Sequence, residues 1–382
     1  MLRGAYTELA LGRLGQSANG DASHDINDSI AINNRTKKDG ILGDVKTGRK
    51  HQAKRTAYDY EFMSTDNHTR RAFLTKLTAA AAGGLLANRS RNAFASTAPE
   101  PHITFPTAPR DRISVASYPF RAYIESPANR DRDAKHPGMD LKDFPAEVVR
   151  KFNVHVIEPH SRHFRSLDAA YLSSFREALA KANVKVVNIA VDGQDSYYDA
   201  DPAVRAKAVA YGKKFVDVAV QIGSPSVRVH INRTKNSGPD VQRTAESLRE
   251  VVSYAAGKKV VVNLENDDLV SEDAFFIVKV IEAVNHPYLH ALPDFANSMM
   301  SGNPDFNYRA LTAMFQHAYG ICHVKDGEAD DSGKYIFIDM KKSFDILKAS
   351  GYRGYCSMEY DAPGDPYAPT TKLIEQTIQY LS

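Results

Sequence analysis

Seven short apolar runs in this chain close on an ionisable side chain: Glu158, Asp192, His230, Glu265, Asp294, His323 and Glu359. A single acidic residue after such a run is ordinarily a helix N-cap or a turn residue. Seven along one chain are harder to assign to capping and point to a shared site. The last four, Glu265, Asp294, His323 and Glu359, supply three carboxylates and one imidazole. That set is hard and oxygen-rich, which suits Mn²⁺ or Mg²⁺ and leaves Co²⁺ and Zn²⁺ open. Three carboxylates buried together without a cation would be strongly unfavourable. The other reading is a hydrogen-bonded polar cluster that binds no metal.

These groups need elements that bring them together. β-Branched runs recur at Ile113–Tyr118, Val154–Glu158, Val184–Val191, Val227–Ile231, Val260–Glu265, Leu289–Phe295, Ile321–Val324 and Tyr355–Tyr360. Between most of them apolar residues fall three and four apart, as in Leu172-Phe175-Leu179, Val209-Phe215-Val216-Val220 and Phe276-Val280-Val284; that spacing predicts amphipathic helices. Starts about 30–40 residues apart match one βα unit each. Eight units predict an α/β fold, a (β/α)₈ TIM barrel over 112–382; a doubly wound sheet is the alternative, disfavoured by the lack of a Gly-rich first turn. In such a barrel the chemistry lies at the C-terminal strand ends. Alternation puts Glu265 on one face with Asn263 and Val261, and Glu359 on one face with Ser357 and Tyr355.

Composition bounds the partners. The chain has 382 residues, 43% hydrophobic and 25% charged, with two cysteines and a net charge of +3. Those values exclude a disulfide-stapled scaffold and give no case for nucleic acid. No apolar stretch is long enough for a polytopic membrane protein. Cys322 and Cys356 read as buried free thiols on adjacent strands, not as nucleophiles.

The N-terminal part has a different character. Residues 1–62 read as a disordered extension, with eight Lys/Arg between 35 and 55, or as untranslated, with Met63 the start. Residues 63–95 look like a twin-arginine signal peptide: Arg70-Arg71-Ala72-Phe73-Leu74, an uncharged run Leu77–Ala87, and Ala93-Phe94-Ala95 before the cleavage point. That implies the Tat translocon as a partner, a periplasmic or otherwise exported location and no stable membrane insertion after cleavage. Residues 96–111, rich in Pro, Thr and Ala, read as a linker.

The ordered set Leu264-Glu265-Asn266, Pro293-Asp294-Phe295-Ala296-Asn297, His323-Val324-Lys325-Asp326 and Ser357-Met358-Glu359-Tyr360 resembles the xylose-isomerase-like barrels, the sugar phosphate isomerase/epimerase superfamily. The resemblance covers about Ile113 to Leu381. It implies that Glu265, Asp294, His323 and Glu359 bind one divalent metal, and that Glu265 and Glu359 double as the acid/base pair. It also implies Glu158 as a substrate-hydroxyl ligand, with His230 as a second. Relatives that cleave abasic DNA carry a further histidine where this chain has Asn297; His160 and His163 are mouth or surface residues, or ligands of another metal.

The chemistry expected is proton movement beside a carbonyl of a small carbohydrate through a metal-stabilised enediolate. Epimerisation, isomerisation and elimination all follow from the same groups, so a lyase or dehydratase acting on a keto-sugar or 3-keto-glycoside is the alternative. A non-catalytic periplasmic sugar-binding protein is the second alternative. The run Asp326-Gly327-Glu328-Ala329-Asp330-Asp331 would repel a phosphate and favours a neutral sugar, or is a solvated loop; Lys325 and Lys334 offset it. Arg121 and Lys325 are substrate-binding candidates, with an outer salt bridge as the other reading of Arg121. Segment 122–141 is a lid or an inert loop. Homo-oligomers are common among such barrels, by analogy.

Overall fold

The structure, a computed structural model, describes residues 99–330, 333–362 and 364–382. The expected extension and signal peptide, 1–95, lie outside the described residues, as do the first residues of the expected linker.

Eight strand positions form the barrel. They are β1 (Ile113–Ala116), β2 (Val156–Glu158), a third position split into β3 (Lys185–Val186) and β4 (Ile189–Val191), β5 (Ser226–Val229), β6 (Val261–Glu265), β7 (Leu289–Leu292), β8 (Ile321–Val324) and, after a hairpin, β11 (Tyr355–Met358). All pair in parallel, in two arcs ordered β3-β2-β1-β11-β8 and β4-β5-β6-β7. Bridges between His160 and Ala190, and between Asp294 and His323, close the ring. All eight runs expected from the sequence are strands, and the fold class is the one expected.

A helix follows each strand position: α1 (Phe144–Phe152), α2 (Ala169–Ala182), α3 (Pro202–Ile222), α4 (Val241–Gly257), α5 (Ala274–Val284), α6 (Pro304–Phe315), α7 (Met340–Ala349) and α8 (Tyr367–Leu381). Asn153, Asn183 and Asn285 end α1, α2 and α5 at φ of 50°, 53° and 48°. Asparagine tolerates this left-handed conformation, which turns the chain sharply toward the next strand. Leu172, Phe175 and Leu179 bury as their spacing predicts, but Val220 is 47% exposed; over six turns of α3 the apolar stripe drifts off that position. Gly212 lets α3 sit close to α4, since a Cβ there would lie 2.6 Å from Tyr197 Oη and 3.1 Å from Val251. No helix among the described residues is long and apolar enough to cross a membrane.

Inside the barrel Val156, Val187, Leu292 and Ile321 form a small apolar cluster of their own, with Tyr355 packed against it. Two residues further along three of these strands come Glu158, Asp294 and His323, and Ser357 and Glu359 follow Tyr355 on the last strand. Alternation therefore sets a polar end above an apolar floor. Residues 101–105, expected as linker, are instead packed: Tyr319 Oη donates to Pro101 O at 2.7 Å and accepts from Ile103 N at 3.1 Å. Phe105 sets its ring edge-on to Tyr319 and Tyr355. An apolar side chain every second residue gives the segment something to bury.

The acidic run after β8 is not a plain loop. Gly327–Ala329 (β9) pairs antiparallel with Tyr335–Phe337 (β10). Segment 122–141 is anchored by buried Ile124 and Leu141 and by Asn129, whose amide donates to Arg121 O at 2.8 Å and to Ile124 O.

Candidate active site

The helices take their N-caps from other residues. Asp168, Asp201, Asp240, Asp273, Asn303 and Asp339 accept from the first-turn amides of α2 to α7. The strand-end carboxylates are therefore not needed as helix caps. One of them has a local duty: Asp294 Oδ1 accepts from Ala296 N at 2.9 Å and Asn297 N at 2.7 Å. Its Oδ2 is buried with no hydrogen-bond partner.

Glu265, Asp294, His323 and Glu359 converge, with one ligand atom from each lying within 4.8 Å of all the others. His323 Nδ1 stands 2.8 Å from Glu265 Oε1, 3.1 Å from Glu359 Oε2 and 4.0 Å from Asp294 Oδ2. All four are nearly or wholly buried. Burial dominates the titration of Asp294 and, despite Lys325, pushes its carboxyl up to about 7, helped by Glu265 and Glu359. Burial also disfavours charge on Glu265, but His323 and Arg228 outweigh it and hold that carboxyl below its usual range. His323 itself is desolvated, yet Glu158, Glu265 and Glu359 push it well above an ordinary histidine.

These features fit a divalent cation. A buried, unpartnered carboxylate oxygen faces a group of hard donors whose combined negative charge exceeds what the imidazole offsets. The residues present could hold a metal.

Opposite this half lies a wall from the first four strand positions. Asp192 is its hub, 2.9 Å from Arg228 Nη1, 2.9 Å from His230 Nε2 and 3.1 Å from His160 Nε2. His230 Nδ1 reaches Glu272 Oε1 at 2.8 Å, and Arg228 also touches the His230 ring. Between the halves opens a cleft of about 320 Å³ lined by Tyr118, His160, Asp192, Arg228, His230, Glu265, Asn297, Lys325 and Glu359, among others. Asp267, Asp268, Glu328 and Asp361 complete its rim. His230, Asp267 and Glu272 also place ligand atoms within 4.8 Å of each other, but His230 Nδ1 and Ile231 N already engage Glu272 Oε1.

The other expected substrate ligands are placed unevenly. Lys325 is in the cleft, with Nζ 2.8 Å from Asn297 Oδ1, 3.4 Å from Glu359 and 3.7 Å from Asp294. Arg121 makes the outer salt bridge, 2.7 Å to Asp361, and stacks on Tyr118. Glu158 is fully buried and does not line the cleft. Two residues further along the same strand path, His160 takes the mouth position instead. His163 is also buried, its Nδ1 2.8 Å from Ser117 Oγ; neither histidine falls in a metal-competent group among the described residues. Cys322 and Cys356 are buried free thiols with sulfurs 3.8 Å apart.

Arg228 was missed by sequence reasoning. It lies two residues before His230 on the same inward face, so the alternation that picked out Glu265 and Asn263 would have found it. Glu272, in the loop seven residues beyond the end of β6, carried no such signal.

The xylose isomerase-like TIM barrel family model matches residues 146–382, more than half of the chain, and the chain belongs to that family. No curated protein sequence matches it significantly. Among solved structures it is similar to a xylose isomerase domain protein from Planctomyces limnophilus, 23% identical over 69% of this chain and 95% of that one, TM-score 0.51. It is similar to a xylose isomerase-like TIM barrel protein from Mycobacterium smegmatis solved with magnesium, 18% identical over 73% and 97%, TM-score 0.54. It also resembles D-allulose 3-epimerase from Methylomonas sp., 17% identical over 73% and 100%, TM-score 0.55.

Proposed function

For this member of the xylose isomerase-like TIM barrel family we propose an exported, divalent-metal-dependent sugar isomerase or epimerase. It moves a proton on the carbon beside a carbonyl of a small neutral sugar. The observation that carries the reading is the pair Glu265 and Glu359, both beside His323 Nδ1 at 2.8 and 3.1 Å and both open to the same cleft. The similarity to a D-allulose 3-epimerase and to a barrel solved with magnesium agrees with it.

Manganese or magnesium on Glu265, Asp294, His323 and Glu359 would stabilise negative charge on substrate oxygens, with cobalt or zinc as substitutes. The chain's own groups do the rest. Glu359, whose Oε2 faces His323 and Lys325, removes or returns the proton; Glu265 serves the other face, oriented by Arg228 Nε at 3.0 Å and Asn297 Nδ2 at 3.3 Å. His230 and Lys325 offer donors to substrate hydroxyls. The acidic rim of Asp267, Asp268, Glu328 and Asp361 repels phosphorylated sugars and favours neutral ones.

One asymmetry favours single-base outcomes over epimerisation and so keeps the lyase as a second reading beside isomerisation. Glu265 has both oxygens engaged, by His323, Asn297 and Arg228, whereas Glu359 is held at one oxygen. A single base with one oxygen unengaged suffices for isomerisation or for elimination from a 3-keto-glycoside, while epimerisation uses two. Export is part of the proposal through Arg70-Arg71 and the run ending Ala93-Phe94-Ala95; a reporter fused after Ala95 would remain cytoplasmic if it is mistaken.

The test is incubation with Mn²⁺ in D₂O alongside free ketoses, aldoses and 3-keto-glycosides. Carbon-bound deuterium without loss of a fragment establishes the isomerase or epimerase. Loss of water or an aglycone establishes the lyase. Sugar and metal binding without exchange leaves a binding protein.

A further inference from the structure

His323 is gripped at both ring nitrogens. Nδ1 faces Glu265 and Glu359, while Nε2 lies 3.0 Å from Glu158 Oε2 and 3.1 Å from Glu158 Oε1. Glu158 has no access to the cleft, and its remaining neighbours are polar protein groups: Ser357 Oγ at 2.6 Å on Oε2 and Asn188 Nδ2 at 2.7 Å on Oε1. A carboxylate only accepts, so the amide of Asn188 turns its NH₂ to Glu158; its Oδ1 then faces Asn263 Nδ2 at 3.2 Å and Ser226 Oγ at 2.6 Å, whose single proton is shared with Val187 O at 2.8 Å. A carboxylate that receives donors from Asn188 and Ser357 is left to accept from His323 as well. An imidazole that binds a cation is neutral and keeps one N–H, and with Glu158 as the acceptor behind the ring that N–H belongs on Nε2. The lone pair then sits on Nδ1, on the side of Glu265, Asp294 and Glu359.

We infer that Glu158 is a positioning residue: with Asn188 and Ser357 behind it, it fixes the tautomer and ring orientation of His323 so that Nδ1 is presented to a divalent cation. This rests on the metal-binding reading above. It gives Glu158 a task different from holding a substrate hydroxyl, and it explains why a carboxylate is buried at the end of β2 with no view of the cleft. Carboxylates behind metal-binding histidines raise ligand basicity, and their loss weakens metal affinity about 10–100-fold.

Two measurements on the full chain test it. The first titrates Mn²⁺ into wild-type and Glu158→Gln chains by calorimetry, with the thermal midpoint of each metal-free chain as a folding control. Glu158→Gln keeps the shape but permits the wrong tautomer, so binding about 10–100-fold weaker at an unchanged metal-free midpoint is expected. Equal Mn²⁺ affinity in both chains overturns this inference and leaves the metal reading standing. No Mn²⁺ bound to wild type overturns both. The second needs no variant that must fold at this position: ¹⁵N-histidine spectra of the wild-type chain loaded with Zn²⁺, with His323 assigned by its loss in His323→Gln. A proton on Nε2 and metal on Nδ1 is expected; metal on Nε2 overturns the inference.

Discussion

Arg228 Nε stands 3.0 Å from Glu265 Oε2 while its Nη1 stands 2.9 Å from Asp192 Oδ1, so one buried guanidinium ties the wall of the cleft to the half that carries Glu265, Asp294, His323 and Glu359. Burial opposes charge on Arg228, yet Glu265 and Asp192 more than restore it. The pair is thus a structural joint and an orienting contact at once. It turns Glu265 toward His323 and keeps Asp192 facing His230 and His160.

Replacing Arg228 with Met should therefore cost stability as well as activity. The substitution preserves much of the side-chain volume but leaves buried Glu265 and half-buried Asp192 without their shared cation. Breaking one side of a buried ion pair costs about 3–5 kcal/mol. Urea denaturation should show a loss of that order; a loss below about 1 kcal/mol would mean that the two carboxylates find other partners.

Metal binding should weaken in acid through Asp294. Its carboxyl titrates near 7 because burial, then Glu265 and Glu359, outweigh the pull of Lys325. Only the unprotonated carboxylate is a ligand, so protons compete below about pH 7 and drop out above it. Mn²⁺ affinity measured from pH 8 to pH 5.5 should fall throughout, because the raised His323 must also give up its proton, and more steeply below about pH 7, where Asp294 adds a second. Chelation should lower the thermal midpoint at neutral pH, and saturation at about 100 times Kd should restore about 2.7 kcal/mol. A midpoint indifferent to both treatments would remove the metal from the site.

The difference between what was legible and what was not is visible in three residues. His323 was readable because its run is β-branched, flanked by βα spacing on both sides, and ends where barrel strands end. Arg228 sits on an equally readable face, but a scan that stops at the last ionisable residue of each strand passes over it. Glu158 met the same criterion as Glu265, yet strand ends do not all reach the same height in a tilted barrel. On that strand path the mouth falls at His160, and Glu158 drops to the level of Ser357 and Asn188. The hairpin of β9 and β10 was hidden by the acidic composition of its first arm, although Tyr335, Ile336 and Phe337 are strand formers. Register and depth come from the closed ring, and a local pattern does not contain them.

His163 should make the fold acid-sensitive. Burial, with His160 and Arg121 nearby, holds the ring well below the usual histidine value, and Asp192 offsets this only in part. Ser117 Oγ accepts from His160 N at 2.8 Å, so its hydroxyl proton is free to go to His163 Nδ1. The folded chain thus refuses a proton that the unfolded chain accepts near pH 6.5. Stability from this residue is complete above that value and is lost as pH falls below it, by at most about 1.4 kcal/mol per unit. His230 and His323, raised by their carboxylates, act in the opposite sense. The comparison with His163→Asn cancels them: between pH 6.5 and pH 5 the wild-type chain should lose stability more steeply than the variant. Parallel curves would mean that His163 is protonated in the fold.

Lys325→Met should separate metal binding from turnover. The ammonium lies 3.7 Å from Asp294 Oδ2 and 3.4 Å from Glu359 Oε2, so it shares the carboxylates that a cation would use, and it does so as a fixed positive charge. It is not itself a ligand. Its removal takes away a competing charge, which predicts Mn²⁺ affinity equal to or tighter than wild type. Catalysis should move the other way. Lys325 is the one ammonium lining the cleft among the described residues, held toward it by Asn297 at 2.8 Å, and a substrate oxygen bearing developing negative charge would lose that donor. Loss of one such donor typically costs about 10²–10³ in kcat. Calorimetry and steady-state rates on the same preparation decide it. Weakened metal with proportionally reduced turnover would show that Lys325 acts by holding Asp294 and Glu359 in place; unchanged turnover would exclude it from contact with the reacting atoms.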